Sequence, residues 1–216
     1  KEFFELYKQR FLELKESIDA VLEKDGEVKA DFEQKGISTT DFAKKLLGQI
    51  VFIYFLQKKG WLGVGKDAET GKFKEWGTGS KSFLRDLYEK KVVPYDNFFN
   101  DILEPLFYEA LSTERDKHYY SRFNCKIPFL NGGLFEPMSD YNWQESELLI
   151  DNSVFKEILD TFDKFNFTVK EDEPLEKEVA VDPEMLGKVF ENLLEVKDRK
   201  RSEEHTSELQ SRHVIS

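Results

Sequence analysis

Cysteine and histidine are scarce in this chain, and each shortage excludes something. Cys125 is the only cysteine among 216 residues. No intrachain disulfide can form, and a paired-cysteine metal or redox motif is ruled out. Histidine occurs only at His118, His205 and His213, too few and too scattered for a histidine-rich zinc site. Long apolar runs are also missing. The longest, Ile50–Leu56, has seven residues, against the roughly 20 that a membrane-spanning helix needs, so no membrane partner is expected. No secretory signal is visible in these residues, and the simplest expectation is a cytoplasmic location. Positive charge is in deficit, with 32 Lys and Arg against 43 Asp and Glu and a net charge of −11. An acidic chain is a poor main phosphate-gripping surface, because nonspecific nucleic-acid binding comes from Lys and Arg.

Aromatic residues are abundant: 20 Phe, 8 Tyr and 3 Trp. They argue for a packed core despite 35% charged residues. The length suits one large domain or two small ones, able to bury roughly 70% of the unfolded surface.

Helical periodicity dominates. Phe4, Tyr7, Phe11, Leu14, Ile18 and Val21 recur at alternating spacings of three and four, the seam of an amphipathic helix over residues 2–24. Asp25-Gly26 should end it. Ser38-Thr39-Thr40 offers hydroxyls to cap a second helix running to about Lys59. Its second half, Val51-Phe-Ile-Tyr-Phe-Leu56, is apolar on every side and reads as the central core helix. Residues 60–79 are turn-rich, with Trp61 and Trp76 expected as anchors. Helices are expected at about 80–90, at 97–111 and at 154–165. Pro105 lies inside the second of these and should kink or split it. Ile127-Pro-Phe-Leu-Asn-Gly-Gly-Leu-Phe135 reads as a short β-hairpin or tight loop, because Asn-Gly supplies left-handed backbone. Residues 170–178 form an acidic link. A last helix is capped by Asp182, with Pro183 in its first turn, and gathers Leu186, Val189, Phe190, Leu193 and Leu194 on one face. The expected fold is mainly α, an irregular multi-helix bundle.

The character of the sequence changes near Lys200. Arg201-Ser-Glu-Glu-His-Thr-Ser-Glu-Leu-Gln-Ser211 looks like the in-frame translation of a DNA-sequencing adapter, and residues 201–216 are set aside as a non-native tail. The chain also begins at Lys1, not Met. The expected organisation is an N-terminal amphipathic helix and linker at 1–36, a helical connector at 37–200 leading into a missing domain, and the tail.

Several motifs invite a chemical reading and fall short of it. Gly60-Trp-Leu-Gly-Val-Gly65-Lys66 has the spacing of a phosphate-binding loop, but Asp67 stands where Ser or Thr must hold magnesium, and helix precedes it where a strand is required. Glu13-Leu-Lys15 and Glu33-Gln-Lys35 match the end of a nuclease-type Glu-x-Lys element. On a helix such neighbours point to different faces, so solvated surface explains them better. Cys125 has only His118 as a conceivable partner. Asn131, Gly132 and Gly133 could cradle a phosphate or a cofactor carboxylate through backbone amides, although turn geometry explains them too. Lys197, Arg199 and Lys200 form a small basic cluster at a helix C-terminus, where positive charge is favoured in any case. No catalytic, cofactor or metal ligand is assigned in residues 1–200.

Four stretches in order carry a resemblance: Phe42–Gly63, Phe98–Leu111, Ile127–Glu136 and Ala180–Leu194. Together they resemble the type IIG restriction–modification enzymes and related adenine-specific DNA methyltransferases. The resemblance implies a helical segment between an upstream nuclease and a downstream methyltransferase. The parent would act on double-stranded DNA and use S-adenosylmethionine, with magnesium only if a nuclease is fused. The family's cofactor and adenine-pocket motifs would follow Leu194, where the adapter-like sequence stands instead. The fragment alone is expected to be inactive. The rival reading is a noncatalytic acidic helical module for protein interaction.

Overall fold

A computed structural model describes residues 2–130, 132–165 and 167. The acidic link, the last helix, the tail, Asn131, Lys197, Arg199 and Lys200 lie outside the described residues. Helix α1 spans Glu2–Lys24, α2 Gly26–Gln34, α3 Thr39–Lys58, α4 Phe83–Tyr88 and α5 Asn152–Phe162. Between α4 and α5 come two π-helical stretches, Phe99–Leu103 and Pro105–Leu111, and a two-stranded antiparallel hairpin of β1 (Tyr119–Tyr120) and β2 (Cys125–Lys126). The fold is mainly helical, as the periodicity predicts.

The α1 seam is real. Phe11, Leu14 and Ile18 are buried, with Leu22 buried near the C-terminal end in place of the expected Val21. This face packs on α3 and α5. Asp25 does end α1, but it also starts another helix. Its carboxylate accepts from the amides of Glu27 and Val28 and caps α2, which the sequence reading leaves as linker. Val28 and Phe32 bury the inner face of α2. Ser38 Oγ accepts from Asp41 N at 3.1 Å and caps α3, as expected.

Helix α3 is the core. Thirteen of its residues are buried, from Phe42 to Gln57, each large apolar one adding roughly 1.5–3 kcal/mol. Two of the thirteen are glutamines, and each fastens a neighbouring segment. Gln49 Nε2 donates to the carbonyl of Leu134 at 2.7 Å, and Gln57 Oε1 accepts from Leu84 N at 3.0 Å. The second bond satisfies a first-turn amide of α4, whose N-cap Ser82 makes no side-chain cap bond.

Pro105 divides the Phe98–Leu111 helix as its ring demands, yet the backbone stays helical. Glu104 has φ −60° and ψ −50°. What changes is the hydrogen bonding, which widens to i→i+5: Glu104 N reaches Phe99 O and Ser112 N reaches Phe107 O. The wider turn tolerates the amide that Pro105 lacks.

The hairpin sits just upstream of the expected 127–135 segment. Tyr119 faces Lys126 and Tyr120 faces Cys125. The described part of 127–135 takes the tight-loop form: Gly132 has φ +124°, and Gly133–Phe135 make a single 3-10 turn. Trp76 is not a buried anchor, being 38% exposed; Leu62 and Val64 are the buried apolar side chains of its segment. Glycine, not tryptophan, fixes that region. A side chain at Gly60 (φ +70°) would strike the Gly77 carbonyl, and one at Gly79 would strike the Leu62 carbonyl. Of the glycines that mimic a phosphate loop, Gly60 therefore serves close backbone packing.

Candidate functional site

The hairpin and the 60–79 segment meet. Val64 N donates to Lys126 O at 3.2 Å, and Lys126 N donates to Val64 O at 2.8 Å. A second bridge pairs Lys66 with Phe73. Its turn is fixed by Asp67, whose carboxylate accepts from Glu69 N, Thr70 N and Thr70 Oγ1. Those bonds, led by the one from Thr70 N, hold the Asp67 carboxyl below its ordinary range.

Arg115 anchors this unit to the core. Its guanidinium donates to the carbonyls of Glu109 and Ala110 at the end of the second π stretch, and to Thr113, Tyr119 and Ile127. The five donors of the planar fork thus cap a helix C-terminus and hold both flanks of the hairpin. The group is spent on structure.

The result is an open cleft of about 650 Å³ lined by Lys66, Gly71, Lys72, Phe73, Lys117, His118 and Lys126. Four of those residues are lysines and none is acidic. Among the described residues none of the four ammonium groups forms a salt bridge with a carboxylate. Two of them, Lys66 and Lys126, meet rings instead. Lys66 Nζ lies 5.0 Å from the centroids of both Phe73 and Tyr119, and Lys126 Nζ lies 4.3 Å over the Trp76 ring. The Trp76 indole meets His118 edge-on at 5.4 Å. Cation–ring contact holds an ammonium in place without neutralising it. Such a cleft can take an anion and offer an aromatic face to a planar group.

Lys66 and His118 apart, the described residues singled out from sequence lie elsewhere. Gly132 and Gly133 are exposed and do not line the cleft. Their loop is held by Gln49 and by Lys45, whose Nζ donates to Glu136 O at 2.8 Å, while Phe135 packs on Phe52 and Phe107. Cys125 is buried, and burial pushes its thiol up to about 12, the opposite of an activated nucleophile. Glu13 pairs with Arg10 and Lys15 with Asp19, as ordinary helix-surface contacts do. The cleft lysines escape sequence reasoning because Lys66 and Lys126 stand 60 positions apart. The usable signal was Lys72-Phe-Lys-Glu-Trp76 and Lys117-His-Tyr-Tyr120, basic residues interleaved with rings.

A buried polar cluster occupies the core. Glu104 is fully buried, accepts from the Tyr141 hydroxyl, and lacks a partner for Oε1 among the described residues. Desolvation pushes its carboxyl up to about 9. No helix among the described residues is long and apolar enough to cross a membrane.

No protein-family model matches the chain, and no solved structure matches it. A protein of Methanocaldococcus jannaschii described as a type II restriction enzyme and methyltransferase is 32% identical over 165 residues. That alignment takes in 72% of this chain and 12% of the archaeal protein. The similarity supports kinship with a restriction–modification family.

Proposed function

We propose, with that kinship as premise, that this chain is a helical connector within a longer DNA-modifying enzyme. The parent reaction is methyl transfer from S-adenosylmethionine to the exocyclic amine of adenine in double-stranded DNA, with type IIG organisation and a fused magnesium-dependent nuclease. The observation that carries the reading is the 165-residue match, which amounts to 12% of a much larger protein. The order of the four resembling stretches supports it further.

The described residues do not fit the cofactor. Gly132 and Gly133 open only a three-residue turn, and nothing lies within 4 Å of where a Gly132 side chain would stand. A cofactor cradle needs a strand, a glycine-rich loop and a longer helix whose first amides converge. Among the described residues no group of three or more His, Cys, Asp or Glu is placed to hold a metal. In this reading, cofactor and metal binding belong to other parts of the parent.

The test is methyl transfer by the enzyme encoded by the uninterrupted gene. Labelled S-adenosylmethionine and duplex DNA should yield N6-methyladenine on nucleoside analysis, and the 216-residue chain alone should yield none. Methyl on cytosine, or activity in the short chain, overturns the reading.

A further inference from the structure

We infer that the lysine cleft between the 64–76 segment and the hairpin is a binding site for single-stranded or locally unpaired DNA. The choice of DNA rests on the reading above; the choice of an unpaired strand rests on the cleft itself. Lys66, Lys72, Lys117 and Lys126 line one concavity in a chain of net charge −11. Composition works against such a cluster, so its ammonium groups gain most from an anion the chain does not supply. The binding element is pre-formed. The Val64–Lys126 and Lys66–Phe73 bridges fix the two walls, and Arg115 fixes the hairpin to the core. Little ordering is therefore needed on binding.

The rings select the strand. Trp76 is 38% exposed and stands at the cleft through its contact with Lys126. An exposed indole beside lysines matches the two needs of a single strand, charge for phosphates and a flat surface for an unstacked base. A duplex keeps its bases stacked and can use only the charge.

The proposal is tested with the whole 216-residue chain and a fluorescent oligothymidylate of about 12 nucleotides, a length within reach of one such groove. Anisotropy should show binding that weakens roughly 50-fold between about 50 and about 200 mM salt, the loss expected for four phosphate contacts on a single strand. The double variant Lys72→Glu/Lys117→Glu changes only exposed side chains and should weaken binding at least about tenfold at low salt and flatten the salt dependence. Trp76→Ala should weaken it about fivefold or more with the salt dependence unchanged, since stacking and not charge is removed. Lys8→Glu on the solvent face of α1 should leave affinity unchanged, and circular dichroism should be the same for every variant. Equal loss in Lys8→Glu, no effect of the cleft variants, tighter binding to a duplex of equal length, or a clear preference for RNA overturns the inference. Methyl transfer by the parent remains a separate readout, so the cleft can fail while the enzyme reading stands, and the reverse.

Discussion

Tyr141 donates its phenolic hydrogen to Glu104 Oε2 at 2.7 Å in a part of the core where Glu104 is wholly buried. Tyr108 meets the same Tyr141 hydroxyl at 2.9 Å. The cluster joins the π-helical stretches to the 138–141 turn, and Phe32 and Phe42 pack edge-on against the Tyr141 ring. Desolvation raises the Glu104 carboxyl from 4.5 to about 9, outweighing the Tyr141 bond, which lowers it.

A pH dependence of stability follows. Between 4.5 and about 9 the folded chain keeps a proton on Glu104 that the unfolded chain has released. The stabilisation is complete below the unfolded value and declines as pH rises toward the folded one, by up to about 1.4 kcal/mol per pH unit. Glu104→Gln should remove this slope. Urea unfolding of both proteins across neutral and mildly alkaline pH measures it; parallel curves would mean that Glu104 is ionised in the fold.

Arg115→Ala should destabilise the chain by roughly 2–3 kcal/mol, because several carbonyls at the helix end and hairpin lose a charged donor at once. Arg115→Lys should recover little of this, since a single ammonium cannot reproduce the planar fork. Hydrogen exchange of the Tyr120 and Lys126 amides should speed up in both variants. Protection equal to wild type would show that the hairpin is held by something else.

Gly60→Ala should cost roughly 1–3 kcal/mol, as it combines left-handed backbone with a clash on the Gly77 carbonyl. Gly26→Ala is the control, because no atom lies within 4 Å of its added methyl and its φ is not positive. Thermal unfolding of the two variants separates them.

Cys125 should resist thiol reagents in the native state and react fully in denaturant, because it is buried and its thiol is pushed up to about 12. Fast labelling of the folded chain would contradict both its burial and its structural role.

The contrast between what the sequence reveals and what it hides has physical causes. The α1 seam, the all-apolar half of α3 and the Ser38 cap are local patterns, and all three are present. Helix α2 is hidden because Asp25 has two roles: it follows the end of one helix and caps the next. Trp76 misleads because an aromatic residue in a turn suggests burial, whereas here an indole at the surface carries a lysine over its face. The cleft is the least legible feature. Its lysines come from two segments that the Val64–Lys126 bridge brings together, and a pairing across 62 positions leaves no periodicity to read.

The most direct measurement is photo-crosslinking of the enzyme from the uninterrupted gene to DNA carrying halogenated uracil in an unpaired stretch, followed by peptide mapping. Adducts on the peptides containing Trp76 and Lys117–Lys126 are predicted, and they should disappear in the Lys72→Glu/Lys117→Glu variant. Adducts confined to other parts of the enzyme, with these peptides unmodified, would contradict the account.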